Sequence, residues 1–350
     1  MVEAIEIAGR RIGPGYPCFI IAEAGVNHNG DVDLAKRLVD ISREVGADAV
    51  KFQTWITEKL ILPDAAMAEY QQQNIGIEQS QSEMLKRMEL SYEQYREIKA
   101  YADQQEILFF STPDEEDSAD FLDELGVLLF KIGSGEVTNL PLIRHVARMH
   151  KPIILSTGMS SLGDVEAAVR VMEETSENRL ILLHCVSSYP SIPSDSNLRA
   201  MDTMSVAFGY PVGFSDHTMG YEVTLAAVAR GACVIEKHLT LDRKMTGPDH
   251  RASLNPDEFA AMVRAIRTIE SALGDGIKQP TLAELEVKKV VQKTIVTTKT
   301  VRVGETITLS DLTLKRSSGG LSPRYLEFII GRKMRIDVAV NQTISLNMLE

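Results

Sequence analysis

The stretch CFIIAEAGVNHNGDVDLAKRLVDISREVGADAVKFQTW, residues 18–55, contains one complete strand–helix–strand unit. Its two ends, 18–25 and 48–55, are nearly continuous apolar runs, which is typical of parallel strands covered on both faces. The segment between them has helical period and carries its apolar stripe at Leu34, Leu38 and Ile41. Asp31 stands where an N-cap is expected. A strand, a helix and a second strand in this order predict a parallel sheet.

The same alternation continues outward from this unit as far as residue 274. Six further apolar runs follow, separated by segments of helical period: EILFFSTP (106–113), VLLFKIGS (127–134), PIILSTGM (152–159), LILLHCVSSYP (180–190), PVGFSDHT (211–218) and ACVIEKHLT (232–240). Eight strand–helix units predict an α/β fold of the (β/α)8 TIM-barrel type. The alternative is an open, doubly wound sheet.

Two segments interrupt or extend this pattern. An insertion at about residues 56–90, rich in Gln and Met, follows the second strand and is expected to form a lid or a rim helix, the alternative being a solvated excursion. After the TIM-barrel domain, 1–275, a polar linker occupies 276–291 and is expected to be helical from Thr281. Residues 292–350 alternate β-branched and polar residues and predict a small, mostly β domain.

The composition excludes some classes of partner. The chain has 350 residues and a formal net charge of −12, so its surface repels nucleic acid and anionic membranes. No apolar run approaches the length that spans a bilayer, and the N-terminus lacks the pattern of a signal peptide. We therefore expect a cytoplasmic protein. Its three cysteines, Cys18, Cys185 and Cys233, are expected to be buried reduced thiols.

Every predicted strand ends on polar or ionisable side chains. These endings are Glu23, Lys51 with Gln53, Ser111 with Thr112, Lys131 with Ser134, Ser156, His184, Ser215 to His217, and Glu236 to His238. Because the carboxyl ends of barrel strands form the face on which such barrels bind substrates, the sequence predicts an active site there.

Two histidines close the last two strands. Neighbouring strands lie ~4.8 Å apart, so His217 and His238 at equivalent heights can share one cation. With water and substrate oxygens as further ligands, such a pair suits Mn²⁺, Mg²⁺ or Zn²⁺. The alternative is two ordinary histidines that bond to their neighbours.

Two lysines end the second and fourth strands. A lysine in a parallel strand needs a partner or an anionic ligand, and Lys51 and Lys131 lie among hydroxyls that could join them in a cradle for phosphate and carboxylate. Those hydroxyls belong to Thr112, Ser134, Ser156 and Ser215. Alternatively, each lysine pairs with a carboxylate such as Glu23, or one of them forms a Schiff base.

Three other residues near the strand ends are of interest. Glu23 faces the predicted pocket and is a candidate general acid or base. His28, in the loop after it, is expected to lie at the surface or to brace the loop by a hydrogen bond. Asp249, just beyond the last strand, either binds sugar hydroxyls or stabilises a turn.

Taken together, these motifs resemble one enzyme family. FIIAEAGVNHNGD, KFQTW, FFSTP, FKIGSGE, ILSTGMSS, HCVSSYP, GFSDHT, IEKHLTLDR and GPDHRAS are similar to segments of the N-acetylneuraminate (sialic acid) synthases, a group that includes the legionaminic and pseudaminic acid synthases. VRVGETITLSDLTLKRSSGG resembles their antifreeze-like C-terminal domain, also called SAF. The resemblance covers nearly the whole chain.

The resemblance implies a reaction and an assembly. Phosphoenolpyruvate would condense with an N-acylated hexosamine, which releases phosphate and gives a nine-carbon 2-keto acid. The C-terminal domain would cover the barrel of the other subunit in a domain-swapped homodimer. The runner-up functions are a lysine-dependent pyruvate aldolase and a non-catalytic carbohydrate-binding protein.

The resemblance also implies roles for individual residues. His217 and His238 would hold a divalent metal, with Mn²⁺ expected and Mg²⁺ or Co²⁺ as alternatives, and Glu23 would transfer protons. Phosphoenolpyruvate would be bound by Lys51, Thr112, Lys131, Ser134, Ser156, Ser187 and Ser215. The sugar would be oriented by Gln53, Tyr189, Asp249 and Arg316. The family has a proline where this chain has Ser317, a departure that concerns acyl-group specificity and the contact between subunits.

Overall fold

The computed structural model describes residues 2–67, 71–72, 74, 79–175 and 179–350. The strands are β1 Ile5–Ile7, β2 Arg10–Ile12, β3 Phe19–Gly25, β4 Ala49–Thr54, β5 Leu108–Pro113, β6 Phe130–Ile132, β7 Ile153–Ser156, β8 Leu180–Cys185, β9 Val212–Asp216, β10 Val234–His238, β11 Lys293–Thr297 and β12 Leu312–Arg316. The α-helices are α1 Val32–Glu44, α2 Thr57–Leu60, α3 Gln81–Met88, α4 Tyr92–Gln104, α5 Glu116–Glu124, α6 Leu140–Ala147, α7 Leu162–Glu173, α8 Ala200–Phe208, α9 Glu222–Ala229, α10 Pro256–Leu273, α11 Leu282–Val291 and α12 Leu326–Ile329.

Eight of these strands form one sheet that curls into a barrel. Their order is β5-β4-β3-β10-β9-β8-β7-β6, and the ladders between neighbours are parallel. β5 and β6, at the two ends of this order, lie beside each other. The prediction of a TIM barrel is therefore confirmed, and the open doubly wound sheet is excluded.

Successive side chains of each barrel strand belong to two different buried layers. Side chains such as Ile20, Leu182 and Ile235 point outward and pack against the helices. Inward-pointing side chains fill the amino-terminal half of the barrel, where the β1–β2 hairpin adds three isoleucines. This inner cluster includes Phe19, Ile21, Ile154, Ile181 and Leu183, with Ile5, Ile7 and Ile12 from the hairpin. The carboxyl half of the interior is left to polar residues.

The helix boundaries follow the local capping chemistry. The side chain of Asp31 accepts hydrogen bonds from the backbone N–H groups of Asp33 and Leu34, so the predicted N-cap of α1 is confirmed. Thr281 forms a capping box with Glu284, and the expectation of a helix from this point is confirmed by α11.

The insertion after β4 contains α2 and α3. Residues 68–70, 73 and 75–78 of this insertion lie outside the described residues. In the part that is described, Met67, Met84 and Met88 pack against Trp55 and Val26, which fastens α3 to the loops after β3 and β4. The methionines of the insertion thus have a packing role beside the mouth of the barrel.

The chain divides into two compact units, Met1–Gly274 and Asp275–Glu350. The C-terminal unit has its own apolar core, which includes Ile295, Met334 and Val338. β11 and β12 pair antiparallel, and isolated bridges replace longer strands elsewhere in this unit. The three cysteines are free and buried, as expected. A search of the described helices finds none whose length and apolar character would let it span a membrane.

Candidate active site

A cavity of about 400 Å³ opens at the carboxyl ends of the barrel strands. Its charged and aromatic lining residues are Glu23, Lys51, Asp114, Lys131, Tyr189, His217, Glu236 and His238. Its uncharged polar side chains include Gln53, Gln71, Gln81, Thr112, Ser134, Ser156, Ser187 and Ser215. Most of the strand-end side chains that the sequence singled out as one ring are thus brought together. Ser111 and His184 are not among the lining residues: Ser111 hydrogen-bonds Thr54, and His184 bonds the carbonyl oxygen of Ser196. Asp216 and Lys237 do not line the cavity either.

Two lysines and two glutamates form a buried cluster on the cavity floor. The Nζ atom of Lys51 lies 2.7 Å from Oε2 of Glu23 and 3.7 Å from Oε2 of Glu236. The Nζ atom of Lys131 lies 3.9 Å from Oε1 of Glu236. Burial lowers the pKa of Lys51, but the two carboxylates outweigh it and raise that pKa overall. Lys51 therefore pairs with Glu23 in this structure, as one of the three interpretations had it.

Hydroxyl groups surround the two ammonium groups. Lys51 donates to Oγ1 of Thr112 at 3.3 Å, and Lys131 donates to Oγ of Ser156 at 2.6 Å. Burial lowers the pKa of Lys131, and the nearby Glu236 carboxylate opposes that effect only in part. An ammonium group with one weak carboxylate contact and a hydroxyl beside it can accept an anionic ligand, because such a ligand would restore the charge balance that burial makes costly.

A glycine next to β7 shapes the neighbouring part of the cavity. The backbone N–H of Gly158 donates to Oγ of Ser134 at 3.0 Å. A Cβ atom at position 158 would lie 2.2 Å from Oγ of Ser187 and 2.9 Å from Oγ of Ser134. The two serine hydroxyls can therefore occupy these positions only when residue 158 has no side chain.

The two histidines present neutral rings to the same space. Their ring centroids are 5.5 Å apart. His217 has Nδ1 2.7 Å from the carbonyl oxygen of Val186; since a carbonyl only accepts, Nδ1 carries the proton and Nε2 keeps its lone pair. Burial lowers the pKa of His217 to about 4 and that of His238 well below its usual value. Neutral imidazoles with a free lone pair are the form that binds metals.

The donor set fits a divalent cation with an incomplete protein shell. Within the described residues, Nδ1 of the buried His238 has no hydrogen-bond partner, and Oδ2 of Asp249 is 3.8 Å away. The described part of the chain holds no group of three or more His, Cys, Asp or Glu side chains arranged to bind a metal. Two histidines would thus supply the protein ligands, and solvent and substrate oxygens would supply the others.

Glu23 has the acid–base character that proton transfer needs. Burial raises its pKa to about 7, although the Lys51 ammonium opposes this shift and Glu236 adds to it. Nε2 of Gln53 donates to Oε1 of Glu23 at 3.0 Å, which orients the carboxyl group. A carboxyl group with a pKa near neutrality can give and take a proton at the pH of the cell.

The residues assigned to the sugar are less uniformly placed. Gln53 and Tyr189 line the cavity, and the Tyr189 ring centroid is 4.1 Å from that of His217. Asp249 lies behind His238, and burial raises its pKa to about 6. Arg316 is the last residue of β12 in the C-terminal unit. Its predicted contact with the sugar stays a prediction.

His28 is fully buried, so its placement at the surface is wrong. Its Nδ1 accepts a hydrogen bond from the backbone N–H of Gly30 at 3.0 Å, and the loop-bracing interpretation is the right one. Burial also lowers the pKa of His28 to about 4.

Sequence reasoning assigned no role to two carboxylates of the cavity: it indicates Glu236 only as one of the strand ends, and it does not single out Asp114. Glu236 contacts both lysines and accepts a hydrogen bond from Ser215 at 3.0 Å. Its position two residues before His238 could have revealed it, because alternate residues of a strand share a face. Asp114 lies two residues after Thr112, and burial raises its pKa to about 7, with Glu136 adding to the shift.

Comparisons with known proteins agree with the motifs. The model of the NeuB family matches residues 38–278, and that of the SAF domain matches residues 292–350. The N,N'-diacetyllegionaminic acid synthase of Campylobacter jejuni is 46% identical over 313 residues, which are 89% of this chain and 94% of that protein. The N-acetylneuraminate-9-phosphate synthase of Mus musculus is 36% identical over 338 residues, 96% of this chain and 94% of that protein.

A solved structure shares the fold. The crystal structure of N-acetylneuraminic acid (sialic acid) synthetase from Leptospira borgpetersenii, in complex with citrate, matches with a TM-score of 0.73 and 35% identity. The match covers 83% of this chain and 98% of that one.

Proposed function

This chain belongs to the NeuB family and carries a SAF domain, as its motifs predicted, and we propose that it condenses phosphoenolpyruvate with an N-acylated hexosamine. The chain is an enzyme of the nonulosonic acid synthase type. The product would be a nine-carbon 2-keto sugar acid, with phosphate released. One observation carries the proposal: two buried lysines with their hydroxyls and two neutral histidines line the same cavity.

Phosphoenolpyruvate would occupy the lysine side of the cavity. Lys131 would bind its phosphate together with the hydroxyls of Ser134 and Ser187, and Lys51 would bind its carboxylate with Thr112. Ser156 and Ser215 would complete the cradle. Lys131 would replace its 3.9 Å contact with Glu236 by a direct ionic hydrogen bond, which is the stronger contact, whereas Lys51 would bind the carboxylate beside its existing pair with Glu23.

The histidine side would hold a divalent metal, with Mn²⁺ as the expected ion and Mg²⁺ or Co²⁺ as alternatives. The support is the pair of neutral rings and the unpartnered Nδ1 of His238 among the described residues. A bound cation would polarise the aldehyde oxygen of the open-chain sugar.

Glu23 would handle the protons. The methylene carbon of phosphoenolpyruvate attacks the sugar aldehyde, and protonated Glu23 gives its proton to the aldehyde oxygen as the C–C bond forms. Water then adds to the former enol carbon and loses a proton to the Glu23 carboxylate. The tetrahedral species then collapses to the ketone: its C–O bond to phosphate breaks, and the proton of the new hydroxyl leaves with the phosphate. A pKa of about 7 suits a group that acts first as acid and then as base.

The sugar would be neutral and without a phosphate group. Lys51 and Lys131 are the cations among the described lining residues, and both lie on the phosphoenolpyruvate side. The sequence from residue 60 to 85, which contributes Gln71 and Gln81 to the lining, has no Lys, Arg or His and four acidic residues. A sugar phosphate would meet no counter-charge there. Among the neutral candidates we favour a 2,4-diacetamido-trideoxyhexose of the legionaminic type over N-acetylmannosamine and the pseudaminic counterpart. The reason is that this chain is 46% identical to the N,N'-diacetyllegionaminic acid synthase of Campylobacter jejuni, against 36% for the N-acetylneuraminate-9-phosphate synthase and 33% for a pseudaminic acid synthase.

The active assembly would be a domain-swapped homodimer in which Arg316 of one chain reaches the sugar bound by the other. The exposed apolar residues of α11, Leu282, Val287 and Val290, support an additional contact surface in this region. Sedimentation of the full chain tests this proposal, and a monomer at micromolar concentration would contradict it.

Phosphate release from phosphoenolpyruvate, measured with each of the three neutral sugars and with N-acetylmannosamine 6-phosphate, tests the substrate. The expected result is turnover with the diacetamido sugar, after metal is supplied to chelator-treated protein, and no turnover with the sugar phosphate. Borohydride trapping of a pyruvate adduct would instead favour the lysine-dependent aldolase.

A further inference from the structure

A buried ion pair lies directly behind the two histidines, on the outer face of the barrel. Nζ of Lys237 is 3.0 Å from Oδ2 of Asp216, and both side chains are fully buried. The two residues stand opposite each other in the β9–β10 ladder. Asp216 immediately precedes His217, and Lys237 immediately precedes His238. Because successive residues of a strand point to opposite faces, this pair faces the helices while the histidines face the cavity.

The pair is tied to the backbone around His217 and to a helix. Oδ1 of Asp216 accepts hydrogen bonds from the backbone N–H and the hydroxyl of Thr218, both at 2.8 Å. Oδ2 accepts one from Oγ1 of Thr224 in α9 at 2.6 Å. Lys237 donates to the carbonyl oxygen of Thr218 at 2.6 Å. The chain before and after His217 is therefore held from both sides.

Hydrophobicity does not select the face of these strand ends. Residues 215–217 read Ser-Asp-His and residues 236–238 read Glu-Lys-His, so both faces are polar. A slip of one residue moves every side chain to the other face, and a hydrophobic pattern normally prevents it. Apolar residues such as Phe214 and Ile235 set the register earlier in these strands, and the Asp216–Lys237 pair extends it to the polar ends, since only one register places the two charges opposite each other.

Stability alone does not account for the pair. Replacing a buried ion pair by apolar residues of similar size is often neutral or stabilising, because desolvating two charges costs about as much as their attraction returns. We propose that Asp216 and Lys237 are positioning residues that hold His217 and His238 at the spacing that binds a metal. This inference rests on the metal site of the proposed function.

The test is the affinity of the full chain for Mn²⁺, measured by calorimetry without substrates. The double variant Asp216→Leu/Lys237→Met removes both charges and should unfold as cooperatively as the wild type. We expect its affinity for Mn²⁺ to be at least tenfold weaker. Saturating Mn²⁺ should restore most of its kcat, which a general loss of structure would not allow. The control Asp48→Leu/Arg267→Met removes a partly exposed ion pair at the amino end of the barrel and should leave the affinity unchanged.

The possible outcomes distinguish the positioning role of Asp216 and Lys237 from the proposed metal site itself. Wild-type protein that binds no Mn²⁺ would overturn the metal site and this inference with it. Equal affinity in the wild type and the double variant would overturn the inference alone. If the double variant fails to fold, Thr224→Val decides, since it removes one hydrogen bond to Asp216 and should weaken Mn²⁺ binding two- to fivefold. Ser42→Ala, which removes a buried hydroxyl from α1, is its control, and an unchanged affinity in Thr224→Val would contradict the positioning role.

Discussion

The two ends of the barrel interior are built from the same eight strands but are packed by opposite rules. At the amino end, Phe19 and Ile181 pack with the isoleucines of the β1–β2 hairpin, and the cluster is apolar. At the carboxyl end, Lys51, Lys131 and Glu236 share a cavity of about 400 Å³. The comparison indicates that the amino end contributes stability, whereas the carboxyl end buries charged groups that lower stability but can bind substrates.

The largest expected effect is the loss of phosphoenolpyruvate binding in Lys131→Met at the carboxyl end. Removing a buried partner of a phosphate costs about 3–5 kcal/mol, so kcat/KM for phosphoenolpyruvate should fall by about 10²–10⁴-fold. The melting temperature should fall only modestly, because loss of the ammonium group removes its desolvation cost and Glu236 keeps Lys51 as a partner at 3.7 Å. Unchanged steady-state kinetics would remove Lys131 from the phosphate site.

The opposite pattern is expected at the amino end, in Phe19→Ala. The side chain is 3% exposed, and its removal should lower the free energy of unfolding by about 3–5 kcal/mol in a urea titration. Kinetic constants at 20 °C should stay within about twofold of the wild type as long as the variant is folded, because Phe19 does not line the cavity.

The control for this variant is Phe328→Ala in the C-terminal unit. Phe328 is 51% exposed, so the same chemical change should cost less than about 1 kcal/mol there. A large kinetic defect in Phe19→Ala, at a temperature where this variant is fully folded, would contradict the view that the amino end contributes stability and not substrate binding.

A smaller effect on binding is expected from Gly158→Ala. The new Cβ would displace the hydroxyls of Ser134 and Ser187, and the loss of hydrogen bonds to a charged ligand should weaken phosphoenolpyruvate binding by about 10–10²-fold. Gly163→Ala, in α7, is the matched control. A Cβ atom at position 163 would have its nearest neighbour 3.8 Å away, so Gly163→Ala should bind phosphoenolpyruvate normally and gain about 0.5–1 kcal/mol of stability. Normal affinity in Gly158→Ala would show that the serines do not bind the ligand.

The amino end and the overall fold could be predicted from sequence more fully than the cavity. Apolar runs and helical period predict the strand order because each strand–helix unit is contiguous in the sequence. β3 and β4 begin within one residue of their predicted starts. β6 is shorter than predicted: the run 127–134 forms a strand only at Phe130–Ile132, since the chain bends at Leu128, whose side chain is exposed.

The cavity depends on pairings between distant segments, and these are not visible in a linear pattern. Strand-end position indicated Lys51 and Lys131, but not that Glu236 lies between them. The raised pKa of Asp114 needs both burial and the charge of Glu136, two conditions that only the folded chain brings together.

The smallest expected effect concerns the pH dependence of stability in Asp114→Asn. Burial, and then the charge of Glu136, raises the pKa of Asp114 to about 7 from an ordinary value of 3.8. The folded state therefore keeps this proton up to about pH 7, whereas the unfolded chain loses it near pH 4. Where the folded state binds more protons, stability falls as pH rises. The wild type should lose stability relative to Asp114→Asn between pH 4 and 7, by about 1–2 kcal/mol for a partly exposed group.

In the C-terminal unit, the stability difference between the wild type and an Asp→Asn variant is expected to change with pH in the opposite direction, which completes this test. The hydrogen bond from Lys299, followed by those from Thr308, lowers the pKa of Asp311 to about 2. Its stabilising contribution should be present above pH 4 and disappear as pH falls from about 4 to 2, so Asp311→Asn should be less stable than the wild type at pH 7 and approach it in acid. Urea titrations at half-unit pH intervals measure both differences. If the difference for Asp114→Asn did not change with pH, the cavity carboxyl would be ionised in the folded protein, and the carboxyl end would not destabilise the barrel through this group.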